Sequence, residues 1–213
     1  MTQVSIVMTS DTHMAIPQVP DADIFIHAGD GTYTGSTHAL RDWFQWMERL
    51  PHEHKLFIAG NHDWGFDLHP GKHQQIMKEE YPSLTYLENS GCVVKGLKFW
   101  GSPVQPHFFQ WAFQKNRGKE LREHWAQIPD DTDVLITHGP PWSFGDINAH
   151  DDRFGDQDLL DRVLEVKPIL HVYGHAHHGY GVYGNEHTIF VNAAHMSESY
   201  TPMNDPIKIT LDC

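Results

Sequence analysis

Five short apolar runs, each followed closely by residues that bind metal ions, constrain the fold of this 213-residue chain most strongly. Each run has the length and composition of a buried β-strand and is bounded by turn residues. The runs span residues 4–8, 24–27, 56–59, 134–137 and 169–173. An aspartate, asparagine or histidine follows the end of every run within three positions. The pattern predicts a sheet with a polar, ligand-rich edge.

The segments between these runs indicate the fold class. Residues 39–47 and 159–166 carry apolar side chains at helical spacing, and strands that alternate with helices are typical of parallel sheets. Six further segments resemble hairpin-linked antiparallel strands: 85–87, 92–94, 97–100, 179–183, 188–191 and 207–211. We therefore predict an α/β fold, a four-layer α/β/β/α sandwich of two mixed β-sheets flanked by helices. With no linker or repeat, we expect one domain over residues 1–213.

In open α/β sheets the loops beyond the carboxyl ends of the strands converge on one crevice. This geometry would place seven side chains around one point: Asp11, His13, Asp30, Asn61, His138, His175 and His177. Each motif alone has an ordinary structural explanation, because Asp11, for example, could be a turn or cap residue. Their joint occurrence, each after a strand, favours a site for two divalent ions.

Composition narrows the classes of partner. The net charge of −13 argues against a duplex nucleic-acid partner, so a polyanionic substrate would have to be held by metal ions. The 18 histidines point to metal chemistry, since histidine is the commonest metal-binding side chain. No apolar run reaches the length of a membrane span. The N-terminus lacks a signal-peptide pattern, and two cysteines form no disulfide framework, so we expect a cytoplasmic location.

The ordered motifs Asp-x-His, Gly-Asp, Gly-Asn-His-Asp, His and Gly-His-x-His resemble those of the calcineurin-like metallophosphoesterase superfamily. Further segments are similar to the small brain-type metallophosphoesterase-domain proteins and their microbial relatives: 100–103, 111–118, 137–141, 170–181 and 191–193. The similarity covers essentially the whole chain from Asp11 onwards. Some brain-type relatives lack a histidine of the last motif, whereas this chain has both His175 and His177, which favours an active enzyme.

The resemblance implies a role for each matching position. A first metal ion would be bound by Asp11, His13, Asp30 and His177. A second would be bound by Asp30, Asn61, His138 and His175. Asp30 would bridge the two ions and support a bridging hydroxide, and His62 would assist the leaving group. The mixed ligand set suits Mn, Fe, Zn, Co or Ni, and of these we expect Mn²⁺.

The expected activity is phosphodiester hydrolysis on small nucleotides, cyclic ones included. Phosphoprotein phosphatases carry a second aspartate in a longer Gly-Asp motif, and residues 29–35 of this chain contain none, which leaves open what orients His62; Asp63 is adjacent. Scarce arginine favours a diester over a dianionic monoester. The alternatives are a phosphomonoesterase or pyrophosphohydrolase with the same metals, and a non-catalytic metal- or nucleotide-binding regulator.

Other residues are candidates for substrate contact or for the surface. His107 lies in an aromatic segment that we expect to line a substrate wall. Trp142 and Phe144 follow the His138 loop, and Asn192 follows a late strand. We expect surface positions for seven other histidines: His52, His54, His69, His73, His124, His150 and His187. The oligomeric state stays open.

Overall fold

The computed structural model describes residues 3–212, which form strands, five α-helices and their connections. The strands are β1 (Gln3–Thr9), β2 (Ile24–Ala28), β3 (His54–Ile58), β4 (Leu84–Tyr86), β5 (Ser90–Val94), β6 (Leu97–Ser102), β7 (Gln105–Pro106), β8 (Gln114–Lys115), β9 (Val134–Thr137), β10 (Leu170–Tyr173), β11 (Gly181–Gly184), β12 (Ile189–Asn192) and β13 (Ile207–Asp212). The helices are α1 (Thr37–Glu48), α2 (Trp64–Leu68), α3 (Lys72–Glu80), α4 (Lys119–Trp125) and α5 (Gln157–Val166). None of these helices has the length and hydropathy needed to cross a membrane.

Two large mixed sheets organise these elements, as predicted. The first has the strand order β13-β1-β2-β3-β4, in which β1 to β4 are parallel and β13 is antiparallel to β1. The second has the order β11-β12-β10-β9-β6-β5, with a parallel centre and an antiparallel strand at each end. The short strands β7 and β8 pair separately.

The side chains of alternate strand positions fill different layers. Ile6 and Ile26 of the first sheet pack against Val172 of the second. Phe25, which directly precedes Ile26, packs on the other side of the sheet against the buried face of α1. On the outer face of the second sheet, Leu135 packs in the same cluster as residues of α4 and α5. The result is the four-layer α/β/β/α sandwich that the sequence predicts.

Local sequence explains the two predicted helices. The Ser36 side chain caps α1 by accepting a hydrogen bond from the Ala39 amide at 3.2 Å. The buried face of α1 is formed by Leu40, Trp43, Phe44 and Met47, at the spacing that one helical face requires. Helix α5 is capped by Asp156 and ends at Val166, and the next residue, Lys167, has a left-handed φ of 56°.

The hairpin predictions are correct in part. Lys95 and Gly96 have φ values of 49° and 85°, as a two-residue turn requires, and they connect antiparallel β5 and β6. The sequence predicts an antiparallel strand at 85–87, and this prediction is wrong, because β4 is parallel to β3. Helices α2 and α3 form a crossover between these strands, and a crossover connection returns the chain in the same direction. Strand β13 pairs with distant β1 rather than within a hairpin.

Three of the seven histidines expected at the surface are buried, so the expectation was wrong for them. Nε2 of His52 lies 3.0 Å from the Pro20 carbonyl oxygen, and Nδ1 of His73 lies 2.9 Å from that of Gly65. His124 Nε2 lies 2.9 Å from the Ser102 hydroxyl. A hydrogen-bonded imidazole can be buried at modest cost.

Gly101 in β6 leaves no room for a side chain between the two sheets, and this generates a stability prediction. A Cβ atom there would lie 2.6 Å from Leu87 Cβ and 2.8 Å from Ile58 Cγ2. We expect Gly101→Ala to lower the free energy of unfolding by about 1–3 kcal/mol, measured by urea denaturation. Gly184→Ala is the matched control, because its nearest neighbour would lie at 3.6 Å. Equal stability of the two variants would contradict the close sheet contact.

Candidate metal centre

All seven predicted ligands meet at one edge of the sandwich. Each follows the carboxyl end of a strand, three strands coming from the first sheet and two from the second. Asp11 and His13 follow β1, Asp30 follows β2 and Asn61 follows β3, while His138 follows β9 and the pair His175 and His177 follows β10. The centre therefore lies where the two sheets face each other, and it requires both of them.

Three groups among the described residues have ligand atoms that all lie within 4.8 Å of one another. They are Asp11, His13 and His177; His13, Asp30 and His62; and Asp30, His138 and His175. Asp30 Oδ2 lies 3.3 Å from Nε2 of His138 and 3.9 Å from Nε2 of His13. Asn61 Oδ1 lies 2.9 Å from Nε2 of His138. Asp30 thus stands between the ligand groups, as a bridging carboxylate would.

Hydrogen bonds orient three of the histidines with Nε2 towards the centre. In each of these histidines Nδ1 lies close to the backbone carbonyl oxygen of another residue. The distance is 3.2 Å for His13, 2.9 Å for His138 and 2.9 Å for His177. A ring whose Nδ1–H donates to a carbonyl presents Nε2 as the metal-binding atom. The Nε2 atom of His13 is buried and has no hydrogen-bond partner among residues 3–212. A divalent ion would satisfy this atom, so these residues fit a metal centre.

The electrostatics also favour bound cations. Burial alone would raise the pKa of Asp11, but the hydrogen bond and charge of His177 lower that pKa below its ordinary value. Burial acts in the same direction on Asp30, and here His138 is the main group that lowers the pKa. Burial opposes a charge on His138, yet Asp30 raises the pKa of that imidazole to about 9. Without metal, protons on histidines balance the buried carboxylates, and a metal ion would replace them.

The backbone at the centre is strained. Four of the seven ligands have positive φ angles, namely 52° for Asp11, 42° for His13, 55° for Asp30 and 63° for His175. Residues other than glycine rarely adopt this conformation, and such strain collects at functional sites. The surrounding loops hold it in place, for example through the Asp11 amide, which donates to the Gly29 carbonyl at 2.9 Å.

Asp63 fastens two of the ligand loops together. Its buried carboxylate accepts hydrogen bonds from the Gly60 amide at 2.9 Å and from the Thr32 amide and hydroxyl at 3.0 and 2.8 Å. Burial and the neighbouring charge of Asp30 raise the pKa of Asp63 to about 6. At Gly60, a Cβ atom would lie 2.2 Å from Asp30 Oδ1, so the close approach of these loops requires glycine.

His62 is oriented by a backbone carbonyl, which addresses the question that the sequence leaves open. Its Nδ1 lies 2.9 Å from the Tyr33 carbonyl oxygen, and its amide donates to Asp30 Oδ1 at 2.7 Å. The carboxylate of Asp63 instead accepts hydrogen bonds from the two ligand loops. The His62 ring packs against Trp111 with 4.2 Å between centroids, and its Nε2 lies 3.4 Å from the Tyr200 hydroxyl.

A cavity of about 490 Å³ opens above the centre. Its lining includes Asp30, Asn61, His62, His175 and His177, together with the predicted wall residue His107. Trp142, Phe144 and Asn192 are not among the described residues that line it. The Phe144 ring stacks on Phe190 at 4.0 Å, and the Asn192 amide donates to the Gly145 and Ala176 carbonyls. Substrate contact by Trp142, Phe144 and Asn192 stays a prediction.

Several lining residues carry no signal of a functional role in the sequence. Tyr200 lies in an irregular segment between β12 and β13, and Asp152 and Glu198 lie in exposed loops. No motif or strand end marks these positions. Only the tertiary fold brings them to the cavity.

Known proteins are similar to this chain over most of its length. The family model described as calcineurin-like phosphoesterase matches residues 5–179. Metallophosphoesterase domain-containing protein 1 of Homo sapiens is 38% identical over 229 residues, which cover 96% of this chain and 70% of that protein. A UPF0046 protein of Caenorhabditis elegans is 38% identical over 214 residues, covering 95% of this chain and 73% of the relative. The region that the family model matches contains all seven predicted ligands.

A solved structure shows the same fold. The crystal structure of TT1561 of Thermus thermophilus aligns with a TM-score of 0.63 at 13% sequence identity, covering 90% of this chain and 89% of that chain. The similarity extends across both sheets, because nine-tenths of each chain is aligned.

The hydrogen bonds of Asp63 generate a prediction about the centre. In Asp63→Asn, an amide NH₂ would face backbone donors, so we expect the free energy of unfolding to fall by about 2–4 kcal/mol. We also expect Mn²⁺ affinity, measured by isothermal titration calorimetry, to fall about 10- to 100-fold because the ligand loops loosen. Asp67→Asn, at an exposed position of α2, is the control. Unchanged stability and affinity in Asp63→Asn would show that the carboxylate does not hold the loops.

Proposed function

The chain belongs to the calcineurin-like phosphoesterase family, and from this premise we propose that it is a dinuclear, metal-dependent phosphodiesterase acting on small nucleotides, cyclic ones included. The family is metal-dependent and hydrolyses phosphate esters. The observation that carries the proposal is the position of Asp30 between two groups of buried ligands. We propose Mn²⁺ as the preferred metal and a cytoplasmic location, both from the sequence.

Each part of the ligand set has a distinct task in this proposal. Asp11, His13, Asp30 and His177 would hold one ion, and Asp30, Asn61, His138 and His175 the other. Two divalent ions, when bound, would activate water and neutralise charge on the phosphate. The protein contributes a rigid arrangement: the Asp30 carboxylate is fixed by the His62 amide, and the histidine rings by backbone carbonyls.

His62 is proposed to give a proton to the leaving-group oxygen. Its Nδ1 is committed to the Tyr33 carbonyl, so Nε2, which lies 3.4 Å from the Tyr200 hydroxyl, is the ring atom that would meet the substrate, and the residue lines the cavity. The departing oxygen carries negative charge as its bond to phosphorus breaks. A positioned imidazolium lowers the barrier of that step by transferring a proton.

The charges around the cavity support a diester substrate. Arg117 is the only lysine or arginine among the described lining residues, and its guanidinium already donates to the Gly155 and Phe154 carbonyls. The carboxylates of Asp152 and Glu198 also line the cavity. A dianionic monoester would meet more repulsion there than a monoanionic diester. The aromatic rings of Phe108 and Trp111 offer a surface on which a base could stack.

The substrate class and the role of His62 are tested together. With Mn²⁺ added, we expect bis(4-nitrophenyl) phosphate to be hydrolysed faster than 4-nitrophenyl phosphate, and 2′,3′-cyclic AMP to be a substrate. His62→Ala should lower the rate of 2′,3′-cyclic AMP hydrolysis about 10²- to 10⁴-fold. The metal content, measured by elemental analysis, should be unchanged. His178→Ala, exposed and outside the cavity lining, is the control. Faster monoester cleavage would contradict the diester assignment, and an unchanged rate would remove His62 from the reaction.

Asp152 and Glu198, which we call the acidic rim of the cavity, generate a separate prediction. The double variant Asp152→Asn/Glu198→Gln removes two negative charges that face the cavity. We expect kcat/KM for 4-nitrophenyl phosphate to rise about two- to fivefold relative to that for the diester, because repulsion of the dianion decreases. The gain should shrink at about 0.5 M salt, where exposed charges are screened.

Asp151→Asn is the control for this variant, since Asp151 is exposed next to Asp152 but is not among the described lining residues. If the ratio of the two substrates is the same in the double variant and in the wild type, the rim does not select between them.

A further inference from the structure

Tyr200 lies close to three histidines of the candidate metal centre, although nothing in the sequence marks it. Its ring centroid lies 4.9 Å from that of His13, 5.6 Å from that of His177 and 6.0 Å from that of His62. Its hydroxyl oxygen lies 3.4 Å from Nε2 of His62. Tyr200 lines the same cavity as His62, so the hydroxyl faces the place where a substrate would bind.

The segment that carries Tyr200 is fastened to the centre. The carbonyl oxygen of Ser197 accepts a hydrogen bond from Nδ1 of His177 at 2.9 Å, and the amide of Tyr200 donates to the same carbonyl at 2.9 Å. Tyr200 has a φ of 57°, a conformation that an aromatic residue rarely adopts. The turn that orients a predicted metal ligand therefore also fixes the tyrosine, and the strained backbone is held by these bonds.

The spacing of the two donors suits a shared acceptor. Two atoms 3.4 Å apart can both lie about 2.8 Å from one oxygen, which is an ordinary hydrogen-bond length for each. Nδ1 of His62 is occupied by the Tyr33 carbonyl, so Nε2 and the phenol are the groups that reach this point. A tyrosine hydroxyl carries a proton that it can donate, so the Tyr200 phenol can act as a neutral donor at this point.

We propose that Tyr200 is a second catalytic residue, whose hydroxyl donates a hydrogen bond to the leaving-group oxygen of the phosphodiester beside His62. The inference rests on the proposed function. The oxygen of water forms a new bond to phosphorus and releases its proton to solvent, while the bond from phosphorus to the leaving oxygen breaks. That oxygen keeps the electron pair and takes the proton of His62 Nε2. Tyr200 stays protonated throughout and stabilises the charge that develops on the oxygen.

This role predicts a dependence on the leaving group. A strongly basic leaving oxygen carries concentrated charge as its bond breaks and gains most from a second donor. A 4-nitrophenolate delocalises its charge and gains little. A merely structural tyrosine would affect both substrates equally, because a displaced loop or a lost metal ion slows either reaction.

The test compares Tyr200→Phe with the wild type on two thymidine 5′-phosphate esters, the phenyl ester and the 4-nitrophenyl ester. The ring and its packing on His13 stay, and only the hydroxyl is removed. We expect kcat to fall about 10- to 100-fold on the phenyl ester, the value of a hydrogen bond to a charged oxygen, and less than about threefold on the nitrophenyl ester. Metal content should match that of the wild type.

Tyr180→Phe is the control, because the Tyr180 hydroxyl donates to the Asp205 carbonyl at 2.8 Å and supports the same segment from outside the cavity. The effect of this substitution on kcat should be the same for the two esters. Equal losses on both esters in Tyr200→Phe, or none, would overturn the assignment. A wild type that cleaves neither ester with Mn²⁺ would instead refute the proposed function.

Discussion

Two carboxylates buried between the sheets, Asp11 and Asp30, impose the requirement on which the rest of the structure depends. Both are almost completely shielded from solvent, where an uncompensated charge is very costly. Histidines of the opposite sheet lie closest to these carboxylates among the ion pairs described: His138 is 3.3 Å from Asp30, and His177 is 3.3 Å from Asp11. The ligand loops of the two sheets must therefore meet, which accounts for the glycines, the left-handed backbone and the buried Asp63 that allow them to do so.

The sequence predicts that these seven side chains converge, because each of them follows the end of a strand. A strand is a local pattern, and in a parallel sheet the carboxyl ends of strands fall on one side, so seven ligands can be placed without knowledge of side-chain geometry. The four-layer sandwich is predicted from this alternation of strands and helices together with the antiparallel segments in the middle and at the end of the chain. The prediction of the ligands thus depends on short-range patterns in the sequence. In the structure all seven side chains lie together.

The sequence-based predictions are wrong where contacts between distant parts of the chain determine strand direction or burial. The crossover through α2 and α3 makes β4 parallel, and its short helices have a weak apolar pattern. His52, His73 and His124 look like surface residues but are buried because a suitable partner lies nearby in space. Tyr200 and the carboxylates of Asp152 and Glu198 reach the cavity from irregular segments, and only the folded chain reveals their neighbours.

Anomalous diffraction from crystals grown with Mn²⁺ would show whether this centre holds two divalent ions joined by Asp30. We expect two manganese peaks, both in contact with the Asp30 carboxylate, one also with His13 and the other also with His138. A single peak, or two that do not share Asp30, would rule out a pair of ions bridged by this residue.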